Sequence, residues 1–279
     1  MVFGTHNVGR ATDLLDQARV SGPITEIIEE SEAFPSALPV KRDANHAAWV
    51  TIQIGCDNSC AFCIVPAVRG KEISRPYSEL VSEVEQLALT GVTEITLLGQ
   101  NVNSYGRNLT LKLRGAELTP ESIQLVGEKW VEGPRTARPL FSDLLCSVAA
   151  VSGIRRVRYT SPHPKDFRPE TIAAMAQIPE VCEHLHLPLQ SGSDKILAAM
   201  HRGYTADRYI QKVTAARDEI PDLALSTDII VGFPGETDLD FERTLEVAAE
   251  VKFDNAYTFV YSPRPGTEAA ESSLSLIHI

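Results

Sequence analysis

The sequence predicts an α/β protein: a curved, partly open barrel of six β/α units, that is, a partial (β/α)6 barrel. Two observations carry this expectation. Six short β-rich runs, at 48–54, 92–98, 154–160, 184–190, 224–231 and 255–261, alternate with stretches of helical character, the pattern of parallel strands joined by right-handed crossovers. Six units are too few to close an eight-stranded barrel. In addition, each glycine-rich or polar motif follows the end of one of these runs, and parallel α/β folds collect their chemistry on that rim.

The bulk numbers narrow the class. The chain has 279 residues, 43% hydrophobic and 23% charged, ordinary values for a globular domain. No run approaches the ~18 apolar residues of a membrane span, and the N-terminus has no signal-peptide pattern. A reducing, cytoplasmic location fits cysteines clustered as ligands rather than spent in disulfides. The net charge of −11 argues against a protein that grips nucleic acid over its whole surface, so any RNA contact must be local.

Taken in order, residues 1–46 read as a remnant and a linker. A short helix over 11–18 sets Leu14, Leu15 and Ala18 on one side, and 22–47 is a Pro-, Glu- and Ser-rich extended connection. The first run, 48–54, delivers a cysteine loop, followed by Arg69-Gly70-Lys71-Glu72, where a basic residue faces either solvent or an anionic ligand. A helix follows with Ser78 as N-cap, Leu80, Val84, Leu87 and Ala88 at helical spacing, and Gly91 as its stop.

The second run ends in Gly99-Gln100-Asn101-Val102-Asn103, a turn whose polar groups suit a cofactor's amino group. Residues 107–139 lack periodicity and read as a surface insertion. A helix over 142–151 turns Leu144, Leu145 and Val148 inward, with Cys146 in the core. Around the third run lie Arg155, Arg156, Arg158, Lys165 and Arg168, the densest basic patch in the chain. Such a patch positions phosphates or is simply a solvated face.

After a helix over 169–178, the fourth run alternates Leu185, Leu187 and Leu189 with His184, His186 and Gln190. This sets the leucines under helices and His186 and Gln190 inside the barrel. Cys182 is assigned to the core. Ser191-Gly192-Ser193-Asp194 opens the next helix, whose free N–H groups suit an anion. The fifth run leads to Gly232-Phe233-Pro234-Gly235-Glu236, then a capping box from Thr237 and Asp240. No element is expected after Glu268.

Cys56, Cys60 and Cys63 sit within eight residues in Cys-x3-Cys-x2-Cys spacing. A closed zinc site takes four ligands. Three thiolates suit a cubane iron–sulfur cluster in which one iron stays open to a small molecule. A zinc site completed by a distant Cys or His, or a chance grouping, remains open on spacing alone.

The cysteine loop with Phe62 before its last cysteine, Leu97-Leu98-Gly99-Gln100-Asn101-Val102-Asn103-Ser104-Tyr105-Gly106, Ser161-Pro162-His163-Pro164, Leu187-Pro188-Leu189-Gln190-Ser191-Gly192-Ser193 and 227–237 together resemble the core of the radical S-adenosylmethionine (SAM) methylthiotransferases. Within that family they resemble the type that acts on tRNA. The resemblance implies a 4Fe–4S cluster on Cys56, Cys60 and Cys63, whose open iron chelates SAM and cleaves it to a 5′-deoxyadenosyl radical. It implies SAM contacts from Phe62, Gly99, Gln100, Gln190, Ser191 and Gly232, and a methylthio transfer to C2 of N6-isopentenyladenosine beside the tRNA anticodon. The partners implied are tRNA and a reduced flavodoxin- or ferredoxin-type electron donor.

The family also implies a second 4Fe–4S cluster on three further cysteines and a C-terminal RNA-binding domain, and neither is present in this sequence. The chain therefore reads as a fragment: 1–46 as remnant and linker, 47–270 as the radical-SAM core carrying the 107–139 insertion, and 271–279 as a ragged tail. The alternatives are a sibling methylthiotransferase acting on threonylcarbamoyl-adenosine in tRNA or on a ribosomal protein, and a zinc-stabilised RNA-binding module.

Overall fold

The computed structural model describes residues 1–27 and 45–272. Most of the expected linker and the tail from residue 273 lie outside the described residues. At the N-terminus, β1 (Val2–Phe3) pairs in parallel with β2 (Thr25–Glu26) across a 3-10 turn (Thr5–Arg10) and α1 (Ala11–Ser21). Glu26 ties this unit together by accepting from Asn7 at 2.8 Å and Arg10 at 2.6 Å. Of the expected apolar side of α1, only Leu14 is buried, and Leu15 is 41% exposed.

The strand expected over 48–54 is broken. β3 (Ala47–Thr51) ends before Ile52, and β4 (Gln53–Ile54) turns away to pair antiparallel with β5 (Ile73–Ser74), which follows α2 (Val65–Arg69). This small ladder brings the two ends of the cysteine segment together. The helix expected from Ser78 is α3 (Tyr77–Leu89), with Pro76 rather than Ser78 at the N-cap and no side-chain cap. It ends at Thr90, and Gly91 then takes a φ of +91°, open to glycine and costly to other residues. β6 (Glu94–Leu98) follows.

Residues 107–139, where the sequence offers no periodicity, fold into three helices: α4 (Arg107–Leu113), α5 (Pro120–Val126) and α6 (Glu128–Glu132). They are two turns or fewer, too short to display a 3.6-residue period. Thr119 and Ser122 form a capping box at the start of α5. Leu113, Val126 and Trp130 join the main core, and Trp130 donates from Nε1 to the Thr136 carbonyl at 2.9 Å.

α7 (Phe141–Ala149) and β7 (Arg156–Tyr159) fall where expected. Then come α8 (Pro169–Gln177), β8 (His184–His186), α9 (Asp194–Ala199) and α10 (Ala206–Glu219). The sequence reading marked only the opening of a helix after residue 191. α10 is a separate helix, capped by Thr205, with Tyr209, Val213 and Ala216 buried at 4- and 3-residue spacing. β9 (Ala224–Val231), α11 (Asp238–Val251) with the anticipated Thr237–Asp240 capping box, and β10 (Asn255–Val260) complete the alternation. α12 (Glu268–Glu271) adds a single turn where no element was expected.

Among the described residues, the six long-range strands form two parallel sheets, β3-β6-β7 and β8-β9-β10, stitched by a bridge between Val157 and Val181. Among the described residues no pairing joins β3 to β10, and the barrel they form is open. Side chains alternate between its two faces. Val50, Ile95, Leu97, Val157, Leu185 and Leu225 are fully buried under the helices. Trp49, Tyr257 and Phe259, on the edge strands, are 76%, 53% and 54% exposed. Cys146 and Cys182, expected in the core, are only half-buried.

Trp130→Ala removes a side chain that is 1% exposed and is expected to cost about 3–5 kcal/mol in chemical denaturation. A loss below about 1 kcal/mol would place α6 outside the core.

Candidate active site at the strand ends

The loop 55–63 leaves β4 at Gly55, whose φ is +74°. A Cβ there would stand 2.0 Å from the Lys71 carbonyl oxygen, so only glycine fits. The loop has little regular structure and is held from outside. The Cys56 N–H donates to the Gly70 carbonyl at 3.2 Å, and Asp57 Oδ1 accepts from the Glu72 N–H at 3.0 Å. The Ala61 N–H donates to the Met200 carbonyl at 3.1 Å, and the Ala61 carbonyl accepts from Ala269 at 2.9 Å. His201 Nδ1 lies 3.0 Å from the Ser59 carbonyl, and Arg202 Nη1 donates to Cys60 Sγ at 3.4 Å. Lys165 Nζ reaches Asn58 Oδ1 at 2.6 Å.

All three cysteines are half-buried, as Cys146 and Cys182 are. The Cys56 thiol is pushed up to about 11, chiefly by burial, with Cys60, Glu72 and Cys63 adding to the rise and the Asn58 N–H opposing it. Among the described residues, no group of three His, Cys, Asp or Glu side chains is placed to hold a metal ion.

Beside the loop is a cavity of about 280 Å³ lined by Phe62, Cys63, Gln190, Asp228, Ile230 and Tyr261, among others. Phe62 meets Phe233 edge-on at 6.4 Å, and Phe233 meets Tyr261 at 5.4 Å. Gln190 has a φ of +70°. Among the described residues, its side-chain oxygen and the Tyr261 hydroxyl are buried without a hydrogen-bond partner, an arrangement that suits a polar ligand.

The other predicted cofactor contacts divide. Gly99 is packed so closely that a Cβ would stand 2.8 Å from Gln53 Cγ, and Gln100 next to it has an unpartnered buried Oε1. Ser191, by contrast, is fully buried with its hydroxyl 3.3 Å from that of Thr244, and the Gly232 N–H donates to the Glu236 carboxylate. These last two shape turns, and none of the four is among the residues lining the cavity. The helix after Ser191 is also spoken for at its start, since Ser193 caps it and donates to Asp240 at 2.7 Å.

The five basic residues do not form one patch. Arg156 and Arg158 reach Glu94 at 3.4 and 3.2 Å, and the register sets Arg156 level with Glu94 and Ala47 at the strand starts, away from the cysteines. Arg155 precedes them. Lys165 and Arg168 follow the strand on the cysteine side, Arg168 pairing with Glu170 at 3.3 Å. His186 lies 3.0 Å from the Ser226 hydroxyl and 3.4 Å from Asp228 Oδ2, on the inner face as expected.

Sequence reasoning missed two features. One is the turn 200–202, which touches the loop at three consecutive residues. The other is a buried polar network: Ser104 donates to Glu72, Asn101 donates to Asp166 at 2.8 Å, and Arg107 pairs with Asp166 at 2.5 Å. Burial, opposed by the Ser104 hydroxyl and helped by Asp57, raises Glu72 to about 7.

Comparison with known proteins places these features. A family model described as the radical SAM superfamily matches residues 50–248. The tRNA-2-methylthio-N(6)-dimethylallyladenosine synthase 1 of Mycobacterium marinum is 50% identical over 272 residues, 97% of this chain and 49% of that protein. The synthase of Streptomyces coelicolor is 50% identical over the same shares. The chain thus spans about half the length of the curated relatives it matches. Among solved structures, the radical S-adenosylmethionine methyltransferase TsrM from Kitasatospora setae aligns with a TM-score of 0.55 at 16% identity, covering 81% of this chain and 38% of that one. Streptococcus suis SuiB aligns at 0.50 and 14%, covering 82% and 43%. At these identities the likeness is one of fold.

Glu72 carries a pH dependence. Its carboxyl is raised in the folded state, so the fold holds the proton more tightly than the unfolded chain between pH 4.5 and about 7. Stability therefore falls as pH rises through that window, by on the order of 3 kcal/mol. Glu72→Gln is expected to flatten this slope in urea titrations across pH 4.5–7. An unchanged slope would remove Glu72 as its source.

Proposed function

The chain belongs to the radical SAM superfamily, and we propose that it is the cluster-bearing core of an enzyme that adds a methylthio group to C2 of N6-isopentenyladenosine beside the tRNA anticodon. The observation that carries this reading is three half-buried cysteines on one loop, set against a cavity whose wall offers unpartnered polar atoms. The names of the half-identical relatives supply the substrate.

Cys56, Cys60 and Cys63 would hold a 4Fe–4S cluster, with S-adenosylmethionine in the adjoining cavity. When bound, these groups supply the one-electron chemistry that opens an unactivated C–H bond. The chain's own residues contribute enclosure and orientation. Phe62, Phe233 and Tyr261 give an apolar wall that keeps water from the reacting centre. Gln190 offers an amide oxygen and Tyr261 a hydroxyl to a polar ligand, and Gln100 offers a second amide at the end of β6, in the other sheet. Gly99 leaves the backbone bare for close packing, while Ser191 and Gly232 act through the turns they close. Lys165 and Arg168, on the cysteine side, are the basic residues placed to meet RNA phosphate. Electrons come from a reduced flavodoxin- or ferredoxin-type protein in the cytoplasm. Among the described residues no helix is long and apolar enough to cross a membrane.

Anaerobic reconstitution with iron and sulfide, then dithionite and S-adenosylmethionine, is expected to yield 5′-deoxyadenosine, and Cys60→Ala to yield none. An iron-loaded chain that forms no 5′-deoxyadenosine, or a Cys60→Ala variant that keeps a full cluster, would refute the assignment. Nucleoside analysis of tRNA carrying isopentenyladenosine or threonylcarbamoyl-adenosine then decides the substrate, with the former expected.

A further inference from the structure

Arg202 is 5% exposed. Its Nε donates to the Tyr204 hydroxyl at 3.2 Å, its Nη2 to the Pro188 carbonyl at 3.4 Å and its Nη1 to Cys60 Sγ at 3.4 Å. Its guanidinium carbon also lies 5.5 Å from the centre of the Tyr204 ring. Among the described residues, no carboxylate forms an ion pair with it. A buried guanidinium is costly unless a negative group answers its charge. Of its three acceptors, a carbonyl and a phenol are neutral, and only the cysteine sulfur can carry a full negative charge.

The placement is firm. The Arg202 N–H bonds the Leu197 carbonyl at 3.0 Å, and the two preceding residues, Met200 and His201, each touch the same loop. The Tyr204 hydroxyl donates in turn to the Leu189 carbonyl at 2.8 Å.

We propose that Arg202 is a positioning residue for the cysteine centre: its buried charge, hydrogen-bonded to Cys60 Sγ, favours the more negative, reduced state of a cluster bound there. The inference rests on the cluster reading above. The step concerned is the addition of one electron from a dithionite-type reductant to the oxidised 4Fe–4S cluster, giving the reduced cluster with one more negative charge and no bond made or broken. A fixed positive charge beside one ligand sulfur stabilises that product.

The test is an EPR-monitored redox titration of the reconstituted full chain, comparing wild type with Arg202→Gln and Arg202→Lys. Arg202→Gln is expected to lower the equilibrium constant for one-electron reduction about tenfold, equivalent to about 59 mV. Arg202→Lys, which keeps the charge, is expected to stay within about threefold of wild type, a smaller shift on the same scale. A purely structural role would not track charge in this way. An unchanged potential in Arg202→Gln overturns the proposal while leaving the cluster assignment standing. If Arg202→Gln does not fold by circular dichroism, Arg202→Lys decides: a tenfold fall despite the retained charge overturns it. A wild-type chain that takes up no iron overturns both readings.

Discussion

Three thiols on one nine-residue loop repel one another once ionised, and the loop has no ladder or helix of its own to hold them. Its geometry is imposed from outside. The Gly55 turn clears the Lys71 carbonyl by the width of a missing methyl group. β4 and β5 hold the two ends of the segment, and Met200, His201, Arg202, Lys165 and Ala269 fix its middle. These anchors come from four distant parts of the chain. The barrel's role is to bring those parts to one rim, and the loop keeps its shape only if the whole frame is assembled.

The same frame sets how charge is distributed around the site in a protein with a net charge of −11. The acids near the rim are largely spent: Glu72 on Ser104, Asp166 on Asn101 and Arg107, Asp240 on Ser193 and Lys195. Arg202 and Lys165 are directed at the loop itself. Among the described residues, the unpartnered buried atoms of Gln100, Gln190 and Tyr261 are neutral amide and hydroxyl groups. They can orient a ligand by hydrogen bonds, while the Asp228 carboxylate, 3.4 Å from His186, adds a charge to the cavity wall.

Much of this was legible in the sequence because it rests on local rules. The six strands show as β-rich runs, the Thr237–Asp240 cap follows from its spacing, and the three cysteines announce themselves. What stayed hidden depends on partners far apart in sequence. α4, α5 and α6 are too short to show a period, and their burial becomes visible only once Leu113, Val126 and Trp130 meet α3 and α7. The break at Ile52 is set by pairing with β5, about twenty residues on. Arg155 to Arg168 look like one basic patch on paper, but the strand between them carries the two ends to opposite sides of the barrel. Arg202 in sequence is one arginine among many, and only the fold shows that its charge is buried against Cys60.

A cluster held by Cys56, Cys60 and Cys63 would stand beside the cavity of Phe62, Gln190 and Tyr261, where S-adenosylmethionine would reach it. The most direct measurement is the EPR spectrum of the dithionite-reduced, reconstituted chain before and after S-adenosylmethionine is added. A ligand binding to the cluster itself is expected to change the g-values and line shape of the signal. A spectrum that forms but is identical with and without S-adenosylmethionine would contradict the claim, because the cluster would then have no open position facing that cavity.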